Sequence, residues 1–166
     1  MHTLRYLLLS GLFYACLMGC QPTSADQADH ATTFPDAATE KAAILATLNA
    51  ETQAFFNRDY ETWQAQWVHA PFIAKSYMIL TDSTMSETLG WEAIDQFGKT
   101  YLSEHPEPEP APEPLTDISM RLYTTGAWVS FEQDDPQRGH KRETRLMEKA
   151  DGQWKIAGMH TTVYGF

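Results

Sequence analysis

Arg145 is the side chain in this sequence best suited to recognising a ligand. It closes the element Glu143-Thr144-Arg145. A guanidinium keeps its charge at any accessible pH, and its planar fork matches a carboxylate. Once buried it needs a partner, and the sequence offers Glu132, Glu143 or the acid of a ligand. His160 has the unperturbed pKa of a general acid or base, although a histidine late on a core strand also reads as structural. His69, in a loop before Pro71, is a second acid/base candidate at a position that favours solvent. No catalytic set declares itself beyond these two. Tyr77, Tyr101 and Tyr164 can hydrogen-bond a ligand, with aromatic core as the alternative for each. Trp63, Trp67 and Trp128 either wall a pocket or fill it.

Other chemistries find no footing. The sequence has no serine-centred nucleophile motif and no phosphate-cradling loop. None of its six histidines lies three or four residues from another, so no metal site is expected. No cofactor is expected either.

These residues must be held by a sheet. Residues 141–164 read as two long strands joined at Ala150-Asp151-Gly152-Gln153, because Asp-Gly tolerates the positive φ of a tight hairpin. The first strand sets Glu143, Arg145 and Met147 against Thr144, Leu146 and Glu148. The second sets Trp154, Ile156, Gly158 and His160 against Lys155, Ala157, Met159 and Thr161. Two strands precede this hairpin, 115–123 and 127–133, the second with Trp128 opposed to Val129 and Phe131. Apolar residues on both sides of that strand predict a homodimer through the outer face of the sheet. A loop, 134–140, leads into the hairpin.

Upstream, a helix starts near Asp36, with Thr39 as a cap and Ala43, Ile44, Leu48, Glu51, Thr52 and Phe55 near one face. Asn57-Arg58-Asp59 breaks it, and 60–67 forms a short second helix carrying the stripe Tyr60, Trp63, Trp67. Residues 72–80 (FIAKSYMIL) form a strand and 84–89 its return. A third helix runs from Gly90-Trp91 to Ser103 and buries Ile94, Phe97 and Tyr101. Residues 105–114 hold five prolines and read as a solvated polyproline spacer.

The chain of 166 residues opens with Arg5, an apolar run over 6–18, and Gly19-Cys20. That run is too short to span a bilayer and has the layout of an export signal. Leu17-Met18-Gly19-Cys20 resembles the lipobox of bacterial lipoproteins, which implies cleavage before Cys20 and acylation of its sulfur. The resulting divisions are a signal peptide (1–19), a flexible tether from Cys20 (20–36) and one domain (37–166). The protein is then exported and anchored by lipid to the cell envelope. In a cell with two membranes, Gln21 after the cysteine directs it to the periplasmic side of the outer one. Cys16 leaves with the signal, so the domain holds together without a disulfide. Losing Arg5 takes the formal charge from −10 to −11, which excludes nucleic acid as a natural partner.

The order α-α-β-β-α-β-β-β-β belongs to an α+β cone, a curved antiparallel sheet wrapped around a long helix. Residues from about Thr39 onward resemble the nuclear transport factor 2-like superfamily, in its SnoaL-like branch. The hairpin is similar to the association domain of calmodulin-dependent protein kinase II. The shared residues are Glu143-Thr144-Arg145, Asp151-Gly152, Trp154, Lys155 and His160, with Gly90-Trp91-Glu92-Ala93-Ile94 opening the third helix. The resemblance implies that Arg145 sits deep in a pocket and meets small carboxylates. A second arginine common in that kinase family is replaced here by Thr161. Isomerases of the superfamily need a carboxylate base near the strand after the second helix, and residues 67–80 contain no Asp or Glu. Three readings follow. One is a binding module for a small, mostly apolar molecule that can carry an acid group, held by Arg145, Trp63, Trp67, Tyr77, Tyr101, Trp128 and His160. The second is a lyase, isomerase or hydrolase with a histidine acid/base. The third is an oligomerisation domain.

Overall fold

The structure, a computed structural model, describes residues 36–116 and 118–165. The export signal, Cys20 and the tether to residue 35 lie outside the described residues. Three helices and six strands alternate along the described chain: α1 (Ala37–Phe56), α2 (Tyr60–Ala65), β1 (Ala74–Ile79), β2 (Thr84–Leu89), α3 (Trp91–Glu104), β3 (Ser119–Leu122), β4 (Gly126–Asp135), β5 (Gly139–Ala150) and β6 (Gln153–Gly165). This is the expected order of elements. The strands form one sheet in the order β2-β1-β6-β5-β4-β3. All neighbours are antiparallel except β1 and β6, which run parallel.

The β5–β6 hairpin turns at Asp151 and Gly152, both at positive φ, as the Asp-Gly dipeptide requires. Burial alternates along β5, with Lys141, Glu143, Arg145 and Met147 inside and Arg142 and Leu146 outside. Along β6 the alternation changes phase. Leu146 pairs with Gly158 but Met147 pairs with Ile156, so Ala157 is an extra residue, a bulge. Before it, Trp154 and Ile156 face the interior; after it, Met159, Thr161 and Val163 share Arg145's side. The expectation that His160 lies on the side of Trp154 and Ile156 is therefore corrected. His160 pairs with Thr144 on the outer face and is exposed.

The helices close the concave side. Asp36, not Thr39, caps α1, its carboxylate accepting from the Thr39 amide at 3.1 Å. Ile44, Leu48, Glu51, Ala54 and Phe56 of α1 are buried, while Ala43 is exposed. Helix α2 ends at Ala65, and Trp67 instead forms an isolated parallel bridge to Ile156. Helix α3 is rotated from the expected face: Ile94, Gly98 and Leu102 are buried, whereas Phe97 is 38 % exposed. The reason is Trp63, whose ring would lie 2.4 Å from a Cβ at position 98. Only a glycine lets the indole seat directly against that helix.

The proline-rich segment is irregular and mostly exposed, as expected, but it is pinned to the domain near its middle. Glu109 is half-buried and Pro112 buried. The Glu109 amide donates to the Phe56 carbonyl at 3.0 Å. Its carboxylate meets Arg58 at 2.6 Å and Arg138 at 3.1 Å. The Asn49 side chain then holds both backbone groups of Leu115. One acid among the prolines, Glu109, thus has structural partners that composition does not display.

Candidate functional site

Strand pairing arranges the interior side chains in rows. One row runs Lys75, Met159, Arg145, Val129; the next runs Tyr77, Thr161, Glu143, Phe131. Neighbouring strands point paired residues to one side, so both rows face the helices. Arg145 is 3 % exposed and Glu143 1 %. The Arg145 guanidinium contacts the Glu143 carboxylate directly, and its Nη2 lies 3.8 Å from Glu51 Oε2. Of the partners open from the sequence, Glu143 is the one adopted. Glu51 joins it from α1, held by the Trp63 indole N–H at 3.0 Å.

The pair belongs to a longer alternation of charge. Glu143 also receives Lys141 Nζ at 2.7 Å, and Lys141 lies 3.9 Å from Asp135. Asp135 meets Arg138 at 3.3 Å, and Arg138 reaches Glu109 and donates to the Tyr101 hydroxyl at 3.1 Å. Arg58 completes the series on Glu109. Burial pushes the Glu143 carboxyl up, but Arg145 and Lys141 outweigh it and hold the pKa below the ordinary value. Glu143 therefore stays ionised.

Lys75 stands outside this chain of pairs. Among the described residues its ammonium makes no ion pair or hydrogen bond, and sits 4.0 Å from the centroid of the Phe97 ring. Burial lowers its pKa to about 8, with Glu51 opposing and Arg145 reinforcing the shift. Tyr77, next inward-facing residue on β1, is held above its ordinary pKa chiefly by burial. Every residue of β1 is only partly buried. The cone is thus incompletely covered along its β1–α3 side, where Lys75, Tyr77, Phe97 and Tyr101 gather.

Six buried polar atoms have no hydrogen-bond partner among the described residues; two of them, Arg58 Nη2 and Glu143 Oε2, sit in ion pairs, which leaves Arg145 Nε, Arg145 Nη1, Thr161 Oγ1 and Trp67 Nε1. Each such group costs about 1–3 kcal/mol when left unpaired. Two belong to Arg145, and Thr161 lies one row along on the adjacent strand.

The other residues singled out from the sequence divide into three sets. Trp63 and Trp67 are each 1 % exposed and fill the interior, Trp63 touching the rings of Phe55, Tyr60, Trp67 and Trp91. Tyr77 and Tyr101 stand at the incompletely covered side, Tyr101 stacked on Phe55 at 5.2 Å. Trp128, His160 and His69 are outside. Trp128 is 49 % exposed and pairs with Leu146. His69 stacks on Trp91 at 3.8 Å and donates to the Gln64 carbonyl. Neither histidine adjoins Arg145. Lys75 is the interior group that sequence reasoning missed; the sequence puts Glu51 on the apolar face of the first helix but does not join it to Arg145. A lone lysine in register with Ile73, Tyr77 and Ile79 was the available signal.

A groove of about 620 Å³ lies elsewhere, between α1 and the β5–β6 turn, lined by Thr39, Glu40, Thr47, Gln66 and Trp154 among others. None of the residues singled out above lines it. Its central carboxylate, Glu40, is already engaged by Lys149 at 2.6 Å and the Trp154 indole at 2.6 Å. The interior rows hold the unpaired donors and are the candidate site.

The sequence matches the family model described as SnoaL-like domain over residues 44–164. Among curated proteins none matches the chain significantly. Solved structures similar to it include a cystatin-like fold protein from Burkholderia xenovorans, 21 % identical with a TM-score of 0.60, covering 79 % of this chain and 96 % of that one. A nuclear transport factor 2-like protein of unknown function from Pseudomonas putida is 18 % identical with a TM-score of 0.59, covering 75 % and 86 %. One from Silicibacter pomeroyi is 15 % identical with a TM-score of 0.55, covering 75 % and 96 %. At these identities the likeness is one of fold.

Proposed function

The chain belongs to the SnoaL-like domain family, and we propose that it binds a small, mostly apolar carboxylic acid inside its cone. The protein does so as an exported dimer, tethered to the cell envelope by lipid on Cys20. One observation carries the reading of the ligand: the unpaired buried nitrogens of Arg145 can only donate and the Thr161 hydroxyl beside them can donate too, so an acceptor completes them. The positive charge of Lys75, outside the alternating pairs, favours an acceptor that is also an anion. The aromatic rings of Phe97 and Tyr101 supply an apolar surface for the rest of the molecule. The enzyme reading through His160 or His69 has no such support, because both rings lie away from these donors.

Isothermal titration with propanoate, benzoate and phenylacetate, each beside its primary amide, tests the proposal. The acids are expected to bind more tightly than the amides. Thr161→Val, which removes only the hydroxyl, should weaken them by about fivefold, equivalent to about 1 kcal/mol. Equal affinity for acid and amide, or for the two proteins, would remove the carboxylate from the account. The anchor is tested separately by fatty-acid labelling, expected in the wild type and lost in Cys20→Ser.

A further inference from the structure

Lys75 has a second capacity, separate from its charge. Its Nζ packs against the Phe97 ring, beside a strand whose residues are only partly buried, without an ion pair or hydrogen bond among the described residues. The groups facing it are Glu51 from α1, Glu143 and Arg145 from β5, Met159 from β6, Tyr77 on its own strand and Phe97 from α3. No carboxylate among them is free to pair with it. Glu143 is taken by Arg145 and Lys141, and Glu51 accepts from Trp63 beside Arg145. A primary amine in such surroundings is a nucleophile as much as a cation.

We propose that Lys75 condenses with the carbonyl carbon of a small 2-oxo acid whose carboxylate is held by the donors of Arg145 and Thr161. The proposal rests on the reading of the interior as a carboxylate site and adds a covalent step to it. Lys75 and Arg145 flank Met159 on the two neighbouring strands, so their backbones are about 10 Å apart and their side chains leave the sheet on the same side. A molecule with its carbonyl one bond from its carboxylate would present one group to each side chain. In the step itself, the Nζ lone pair forms a C–N bond and the carbonyl oxygen takes up a proton, giving a carbinolamine. Loss of that oxygen as water gives the imine; amine and carbonyl are consumed one for one, and nothing is oxidised or reduced. Protons exchange with solvent through the β1–α3 opening. The lowered pKa of Lys75, about 8, raises its neutral share at pH 7 about 300-fold over an ordinary lysine. Lower intrinsic nucleophilicity takes back part of this, leaving a gain on the order of tenfold.

The test is reductive trapping of the purified protein with pyruvate and cyanoborohydride, followed by peptide mass mapping. Exposed Lys41 serves as the internal reference. The expected result is one reduced pyruvate adduct on Lys75, formed on the order of tenfold faster than on Lys41 and slowed by lactate, which has the carboxylate but no carbonyl. Lys75→Arg should abolish the fast adduct; its persistence in that variant would overturn the assignment. Labelling of Lys75 no faster than Lys41 overturns the proposal in the wild type alone, whether or not the variant folds. If calorimetry then shows lactate bound, the amine's role fails and the carboxylate site stands. If lactate does not bind either, both fail. Fast labelling untouched by lactate overturns the acid-directed geometry.

Discussion

Glu143 lies between Arg145 and Lys141 with almost no access to water, so its charge is what makes two buried cations tolerable. Breaking such a pair costs far more than the pair contributes against a well-packed apolar substitute. Because its native pKa is lowered, Glu143 adds stability that is complete above the ordinary glutamate value of 4.5 and lost as pH falls through the native one. Lys75 behaves in the opposite sense. Its native pKa of about 8 lies below 10.5, so the unfolded chain binds more protons and stability rises with pH between those values. Lys75→Met is therefore expected to raise stability at pH 7 by about 1–2 kcal/mol, with the gain shrinking above pH 8. Denaturant melts at pH 7 and pH 9.5 check this; a variant less stable at pH 7 contradicts it. Arg145 and Glu143 were legible from the sequence because a period of two puts them on the face of Met147. Their companions were less so. Glu51 comes from a helix distant in the chain, and Lys75 is one cation in a strand otherwise chosen for apolar and β-branched residues.

At the scale of elements, one residue of β6 decides what the hairpin presents. The extra Ala157 moves His160 out and Thr161 in, and Gly158 beside it was the only sign of a bulge in the sequence. Strict alternation over a long strand therefore reads correctly up to the bulge and inverts beyond it. Helix α3 shows a related effect: its periodicity is sound, but the close seat of Trp63 on Gly98 turns the helix until Phe97 is left at the opening. The pinning of segment 105–114 did not show because composition reports the absence of regular structure, not whether an acid in it finds arginines. On the outer face, Trp128 and Leu146 pair across β4 and β5 with 49 % and 46 % of their surfaces exposed. Two large apolar side chains side by side on an open sheet are the core of the proposed dimer contact. Light scattering of the lipid-free domain is expected to give a dimer that Trp128→Glu converts to a monomer. A wild-type monomer at high concentration contradicts the contact.

The described domain is a cone filled unevenly. Trp63, Trp67, Ile44, Leu48, Ile94, Val129, Met147 and Ile156 are packed against one another with almost no exposure, and give the fold its core. Toward β1 and the far half of β6 the filling becomes charged and polar, and along β1 burial falls off. The order of elements sufficed to read the cone from sequence, since each has its own apolar period and the turns between them are marked by Gly, Pro and Asp. The division of the interior did not show, because it depends on side chains from three strands and a helix meeting in rows. The central claim is that the donors of that polar half take up an acid. It is tested most directly by following the Arg145 Nε–H and Thr161 amide resonances of the purified protein by NMR as phenylacetate is added. The account predicts that both move together and saturate while the His160 signals stay in place. Binding that leaves Arg145 and Thr161 unmoved, or moves only residues of the outer face, contradicts it.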